Sequence, residues 1–391
     1  MRSAISKRVL FVVLIPILLL FMSWAFVVQS HPASVISFWD TPRRGANMFN
    51  KEISRDDIEA AKASGIEFLR IAPDKFVAKQ KDFLIGDADH YNKIVQEDLV
   101  YLKSILDLCA EKKMPVVLTM LSLPGSRWKQ NNHDQDDLRI WNSDQYMGEA
   151  AHFWRDLAQA LKGHPALIGY NFLNEPHPEK LFSDSIEGLT SDQRATVYKG
   201  FNQFNDRMVE AIRSVDSEMP IMIDSSMHAD PATFAYLKPQ NDQNTLYAFH
   251  MYEPFDYTNY KRNKGKWSYP GDVKGIHWDK EKLRDYLKTV QDFQSRYQIP
   301  SNRILVGEFG GHRMSKGLPT YFEDLIDIFR ENQWHFAFYA FREDTWDGMN
   351  YEIGDQKLPG SYWYALEQGK TPVISLQPNA PAFLVLTKER Q

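Results

Sequence analysis

Apolar residues along the chain follow two alternating rhythms. Short compact runs read as buried strands: Gly45 to Phe49, Phe68 to Ile71, Pro115 to Met120, Ala166 to Leu173, Ile221 to Ile223, Leu246 to Met251, Ile304 to Gly307 and Phe336 to Phe341. Between most of them apolar residues recur at helical spacing. Ile58 and Ala61 follow a Ser54 cap, and Leu99, Leu102, Leu106 and Cys109 share a face. The same spacing joins Ala150, Phe153, Trp154, Leu157 and Leu161, then Phe201, Phe204, Met208 and Ile212. It returns in Leu283, Leu287, Val290 and Tyr297, and in Phe322, Leu325 and Phe329, with Tyr362 to Gln368 as a candidate closing helix. Eight strand candidates alternating with helices, with no linker between them, predict an α/β fold: a single closed (β/α)8 TIM barrel. An open doubly wound sheet would carry a glycine-rich phosphate loop after its first strand, and none is present.

One segment lies outside this rhythm. Arg2, Lys7 and Arg8 precede an uninterrupted apolar stretch from Val9 to Val28. A basic flank followed by such a run is a targeting element. Its length is near the ~20 residues that span a bilayer, which favours an uncleaved anchor, while Val28-Gln29-Ser30 offers small residues suited to cleavage. Residues 1–30 are therefore read as a signal peptide or signal anchor and residues 31–391 as the barrel domain, exported and facing away from the cytoplasm. A net charge of -5 leaves no basic footprint for nucleic acid. Cys109, the sole cysteine, excludes an internal disulfide and reads as a packed core thiol. Aromatic residues make up 13% of the chain, more than a core needs, so some rings are expected to face a ligand.

The strand ends carry the chemistry. In a closed barrel every C-terminal strand tip faces one mouth. The fourth run ends Leu173-Asn174-Glu175-Pro176 and the seventh ends Val306-Gly307-Glu308-Phe309-Gly310-Gly311. Two glutamates delivered by apolar strands, with no metal or cofactor motif, suit acid/base and nucleophilic work at a glycosidic bond. Repulsion between nearby carboxylates would hold one of them protonated. The flanking glycines are expected to let substrate and backbone approach closely.

Asn174-Glu175-Pro176 after an apolar strand, His250-x-Tyr252 two strands later, and Gly307-Glu308-Phe309-Gly310 after that resemble glycoside hydrolase family 5, the cellulase-type family of retaining barrel glycosidases. The resemblance covers nearly all of the chain after the leader. It implies that Glu175 is the general acid/base and Glu308 the nucleophile, roughly 5–5.5 Å apart as retention requires. It also implies that Arg70 keeps the nucleophile ionised, Asn174 holds the sugar's 2-hydroxyl, and His250 and Tyr252 line the subsite where cleavage occurs. Without the family, Asp74 is the alternative partner for Arg70. Two departures stand out. Leu121 occupies the place of the family's third-strand histidine, and Tyr339-Ala340-Phe341-Arg342 lacks the tryptophan expected under the sugar. That leaves Tyr339, Phe341 or Trp346 as the stacking platform.

Long polar loops hold further rings: Trp128 and Trp141 between Ser122 and Gln145, and Tyr257, Tyr260, Trp267, Tyr269 and Trp278 after the sixth strand. Such loops suit a cleft for an extended sugar chain, although some of the rings would pack the loops themselves. The run Lys261, Arg262, Lys264 and Lys266 is expected to be a solvated face, and acidic sugars remain open. The expected activity is cleavage of O-glycosidic bonds in a β-linked glycan, of the endoglucanase or mannanase type, by double displacement. It needs no cofactor and no metal. The expected partner is a polysaccharide or oligosaccharide substrate, the chain is expected to be a monomer, and residues 9–28 provide a membrane tether. The competing readings are a non-catalytic carbohydrate-binding barrel and a metallohydrolase using His228, His250 and His312.

Overall fold

The computed structural model describes residues 34–344, 346–368, 370 and 375–387. The expected leader lies outside the described residues. Eight parallel strands close into a barrel: β1 (Arg44–Met48), β2 (Phe68–Ile71), β3 (Val116–Thr119), β4 (Leu167–Asn171), β5 (Ile221–Asp224), β6 (Thr245–Met251), β7 (Ile304–Phe309) and β8 (His335–Phe338). Each pairs with its neighbours in sequence, and β8 returns to β1. The barrel is the predicted (β/α)8 architecture. Helices α1 (Arg55–Ala63), α2 (Gln96–Glu111), α3 (Asp144–Leu161) and α4 (Ser191–Arg213) cover the first half. Ser54 caps α1 through a reciprocal pair with Asp57, which satisfies two of the exposed donors at the helix start. Cys109 is fully buried on α2, and burial pushes its thiol up to about 12, so it is an inert packing group.

The second half is less regular. The connection from β5 to β6 holds only a short turn, Ser226–Ala229, and a 3-10 segment, Pro231–Ala235, where a full helix would stand in an ideal barrel. The β6–β7 connection carries a small antiparallel hairpin of Gly271–Val273 and Ile276–Trp278. The helix predicted from Leu283 to Tyr297 is two helices, α5 (Lys280–Tyr286) and α6 (Lys288–Tyr297), meeting at Leu287. After β7 comes α7 (Leu318–Glu331), then α8 (Gly360–Glu367) and α9 (Pro381–Thr387). The closing role belongs to α9 rather than to the expected segment at 362–368. α9 packs on α7 and buries Phe383 and Leu386, whereas α8 leaves Trp363 and Tyr364 exposed.

The bottom of the barrel is sealed by the segment before β1. A 3-10 turn, Val35–Asp40, places Trp39 beneath the strands. Its indole N–H donates to the Ile168 carbonyl at 3.0 Å, and its ring packs with Phe68, Val117, Met222, Leu246 and Leu305. Gly45 makes room for this layer, since a Cβ there would lie 2.4 Å from the Phe68 ring. Polar residues take over toward the opposite end. The Trp39→Ala variant is therefore expected to lose about 3–5 kcal/mol of stability. Urea denaturation measures this, and activity per folded molecule should stay unchanged because the ring lies at the end remote from the glutamates.

Candidate active site

At the C-terminal end of the strands the barrel interior becomes a ring of polar side chains. Asn47 on β1, Arg70 on β2, Thr119 on β3, Asn171 on β4, Asp224 on β5, His250 on β6 and Glu308 on β7 are all buried. The strand register sets Asn47 beside Arg70, Thr119 beside Asn171, and His250 beside Glu308. Arg70 is the centre. One guanidinium nitrogen donates to Glu308 Oε1 at 2.8 Å and Asn47 Oδ1 at 2.9 Å. The other donates to Asn171 Oδ1 at 2.6 Å, Asn174 Oδ1 at 2.7 Å and Thr119 Oγ1 at 3.3 Å. The alternative partner, Asp74, does something else: it accepts the backbone N–H groups of Leu121 and Ser122 at 2.8 and 2.9 Å.

Glu308 and Glu175 occupy different environments. Glu308 is buried, with Arg70 on one oxygen and the Tyr252 hydroxyl donating to the other at 2.8 Å. Burial pushes its carboxyl above the usual range, and the charges of His250 and Arg70 hold against that rise. With both oxygens accepting hydrogen bonds, the ionised form is the one these donors fit.

Glu175 is more open, its side chain a third exposed. Its backbone is left-handed at φ 52°, and its N–H donates to Asp224 Oδ2 at 3.2 Å. His250 Nδ1 lies 2.9 Å from Glu175 Oε1 and 3.7 Å from Glu308 Oε2. Burial alone would raise Glu175, but the hydrogen bond and charge of His250 outweigh it and carry the carboxyl down to about 2. Burial depresses His250 in turn, and the surrounding carboxylates of Glu308, Glu175 and Asp224 more than offset this, so the imidazole is raised. Both shifts favour the ion pair, with Glu175 ionised and His250 protonated. The neutral pair, with the proton on Glu175, carries the same net charge. His250 Nδ1–H can donate to Oε1 in either form, which leaves Oε2 outside that hydrogen bond.

Two cavities meet here. One of about 1030 Å³ is lined by Glu175, His250, Tyr252, Glu308, Tyr339 and Trp346 among others. A second, of about 300 Å³, is lined by Leu121, Trp128, Trp141, Asn174, Glu175 and His177 among others. Glu175 and His228 border both. Tyr339 sits at the inner wall, edge-on to Phe49, while Trp346 stands further out and 44% exposed. Phe341 is a correction to the sequence expectation. It is buried against Phe383 of α9 and borders neither cavity. β8 ends at Phe338, so strand alternation no longer fixes where a side chain three residues further on points.

Of the loop aromatics, Trp128, Trp141 and Tyr260 reach the cavities, whereas Tyr257, Tyr269 and Trp278 are buried packing residues. From the basic run, Lys261 and Arg262 line the larger cavity. Leu121 forms an apolar patch with Phe49 and Ala72, against which Trp128 and Tyr339 pack. The glycines around Glu308 serve the protein's own packing. A Cβ on Gly307 would lie 3.1 Å from His250 Nε2, and one on Gly310 would lie 2.6 Å from the Tyr339 carbonyl.

Sequence reasoning missed Asp224, Asn47 and Asn171. Asp224 follows an apolar run just as the two glutamates do, so the same signal would have found it. It accepts the Asn171 amide at 2.9 Å and faces His250 Nε2 at 3.5 Å.

The histidines of the metallohydrolase reading do not converge. His312 stacks on Tyr260 at 4.1 Å, away from His250. Among the described residues the group tight enough for a cation is Glu175, His250 and Glu308, one ligand atom of each lying within 4.8 Å of the others. Arg70 already donates to Glu308 there, and a guanidinium in contact opposes a second cation.

Comparison with known proteins agrees with this geometry. The chain is 22% identical over 289 residues to endoglucanase C of Acetivibrio thermocellus, covering 67% of this chain and 75% of that protein. It is 22% identical over 268 residues to endoglucanase 3 of Fibrobacter succinogenes, covering 68% of this chain and 34% of that one. The fold is similar to that of endoglucanase Cel5A from Thermotoga maritima, with a TM-score of 0.61 at 16% identity over 90% of this chain and 99% of the other. The model of the cellulase family, glycosyl hydrolase family 5, matches residues 35–345. Barrel, polar ring and family match together mean that this chain belongs to the cellulase family of glycosyl hydrolases, family 5.

Proposed function

We propose that the protein is a retaining, endo-acting β-glycosidase in which Glu308 attacks the anomeric carbon and Glu175 protonates the leaving oxygen. The observation that carries this reading is the carboxylate pair. Oxygens of Glu175 and Glu308 lie within 4.8 Å of each other. That suits the ~5–5.5 Å separation of a covalent mechanism and leaves no room for the water that inverting enzymes place between carboxylates ~6.5–9.5 Å apart. The donors on Glu308 support its role as the ionised partner, and the engagement of Glu175 Oε1 by His250, which leaves Oε2 for a substrate, supports its role as the acid. In the second half of the reaction Glu175, now ionised, takes a proton from water, which opens the glycosyl ester at Glu308.

Cavities on both sides of Glu175 support cleavage within a chain rather than from its end. A β-linked glucan is the favoured substrate, since several relatives are named endoglucanases. Mannan is the second reading, because the Thermotoga maritima relative is described in complex with both cellobiose and mannotriose. Residues 9–28 support export, with the barrel outside the cytoplasm and tethered if the leader is not removed.

Glu308→Gln should lower kcat on a β-glucan at least ~10³-fold. NMR of the first product should show the β-anomer. An α-anomer, or equal activity in wild type and variant, would sink the double-displacement mechanism. Glu175→Ala should lose ~10²–10⁴-fold in kcat/KM on polysaccharide yet keep much of its kcat/KM on a dinitrophenyl glycoside, whose leaving group needs no proton, while kcat on both falls because the second step has lost its base. Chelators should leave all of these rates unchanged.

The pH profile follows from the same groups. Activity falls at low pH as Glu308, raised by burial, takes up a proton and loses its nucleophilicity. It falls at high pH as the proton held by the Glu175–His250 pair is lost, and the raised His250 keeps that limb above the histidine range. In His250→Gln the glutamate must hold the proton alone. The alkaline limb of kcat/KM is then expected to move to lower pH, as a full pH–rate series would show.

A further inference from the structure

After β5 the chain makes a turn that side chains other than glycine rarely adopt. Met227, His228 and Ala229 are all left-handed, with φ of 52°, 60° and 60°. Such a run persists only where the surroundings hold it. Here the clamp is the buried Glu179. One of its oxygens accepts the Ser226 hydroxyl at 2.6 Å, and the other accepts the Met227 N–H at 3.2 Å. The His228 N–H donates to the Pro176 carbonyl at 3.1 Å, tying the turn to the loop that carries Glu175.

The result is a ring delivered to the acid. His228 Nδ1 lies 3.9 Å from Glu175 Oε2, and its ring stacks on His177 at 4.7 Å with planes 19° apart. His177 is itself fixed by donating from Nδ1 to the Glu175 carbonyl at 2.9 Å. Glu175 Oε1 is occupied by His250, so the glycosidic oxygen must be met at Oε2, and whatever departs on that oxygen leaves past His228. A separation of 3.9 Å is too long for a hydrogen bond, yet both atoms can reach neighbouring oxygens of one sugar. Partial burial lowers the His228 imidazole even though its side chain stays 43% exposed, so at neutral pH it offers a neutral ring with one donor and one acceptor.

We propose that His228, seated on His177, is a specificity-determining residue for the leaving group: it holds a hydroxyl of a departing sugar, adjacent to the oxygen that Glu175 protonates. This rests on the reading of Glu175 as the acid.

The test compares two substrates with one glycone, a β-1,4-oligosaccharide that releases a sugar and a dinitrophenyl glycoside whose leaving group has no hydroxyl. His228→Gly suits the left-handed backbone and removes only the ring. It should lose about tenfold to a hundredfold in kcat/KM on the oligosaccharide and less than about threefold on the aryl glycoside. His228→Asn, which also tolerates this backbone and restores a polar group, should recover part of the loss. Both substrates are read on one protein preparation, so any loss of folded protein cancels in the ratio. Equal losses on both substrates, or no loss on the oligosaccharide, would overturn the proposal. Failure of the underlying acid assignment is separately visible, because Glu175→Ala would then be impaired equally on the two substrates.

Discussion

A guanidinium buried to 1% exposure near the centre of a barrel dictates what surrounds it. Removing such a charge from water costs several kcal/mol unless its donors all find acceptors. The acceptors come from the strands on every side: Asn47, Thr119, Asn171, the Asn174 that follows β4, and Glu308. Arg70 therefore explains why the barrel interior turns from apolar at the Trp39 end to polar at the mouth. It also explains why the nucleophile candidate is aligned before any substrate arrives. Asp224, 3.6 Å from the same guanidinium, joins the network to His250 and to the backbone of Glu175. Both carboxylates are thus fixed by one charge, Glu308 directly and Glu175 through two intermediaries.

This explains what could be read from the chain and what could not. Glu175 and Glu308 were legible because an ionisable residue ending an apolar strand breaks the local pattern. Asn47 and Asn171 fall inside apolar runs, and a single amide in a buried strand gives no indication that a cation waits opposite. The eight-strand barrel was legible for the same reason as the glutamates, since strand and helix differ in their hydrophobic period. Phe341 departs from the expectation because the last strand, expected to run through it, stops at Phe338. The closing helix was misread because Tyr362 to Gln368 and Pro381 to Thr387 are both aromatic or apolar. Only the partner decides between them, and that partner is α7.

The wall beside Leu121 shows a different kind of solution. Where the family resemblance led one to expect an imidazole, the chain presents an apolar patch, and Asp74 grips the backbone beneath it. Burial pushes the Asp74 carboxyl up to about 7, even though two backbone N–H groups stabilise its charge. The side facing the cavity is left as leucine, tyrosine and tryptophan surface. This patch offers ring faces and few hydrogen-bonding groups, whereas Asn174, His177 and His228 bring polar atoms to the lining of the same cavity.

The solitary thiol on α2 has a consequence for how the fold can be used. Cys109 is sealed under the helix, its ionisation suppressed, and there is no second cysteine for it to pair with. Nothing in the barrel's cohesion depends on sulfur chemistry. The same architecture can be assembled in a reducing compartment or an oxidising one, without an isomerase to sort linkages. It should be indifferent to the glutathione poise wherever the chain finally works.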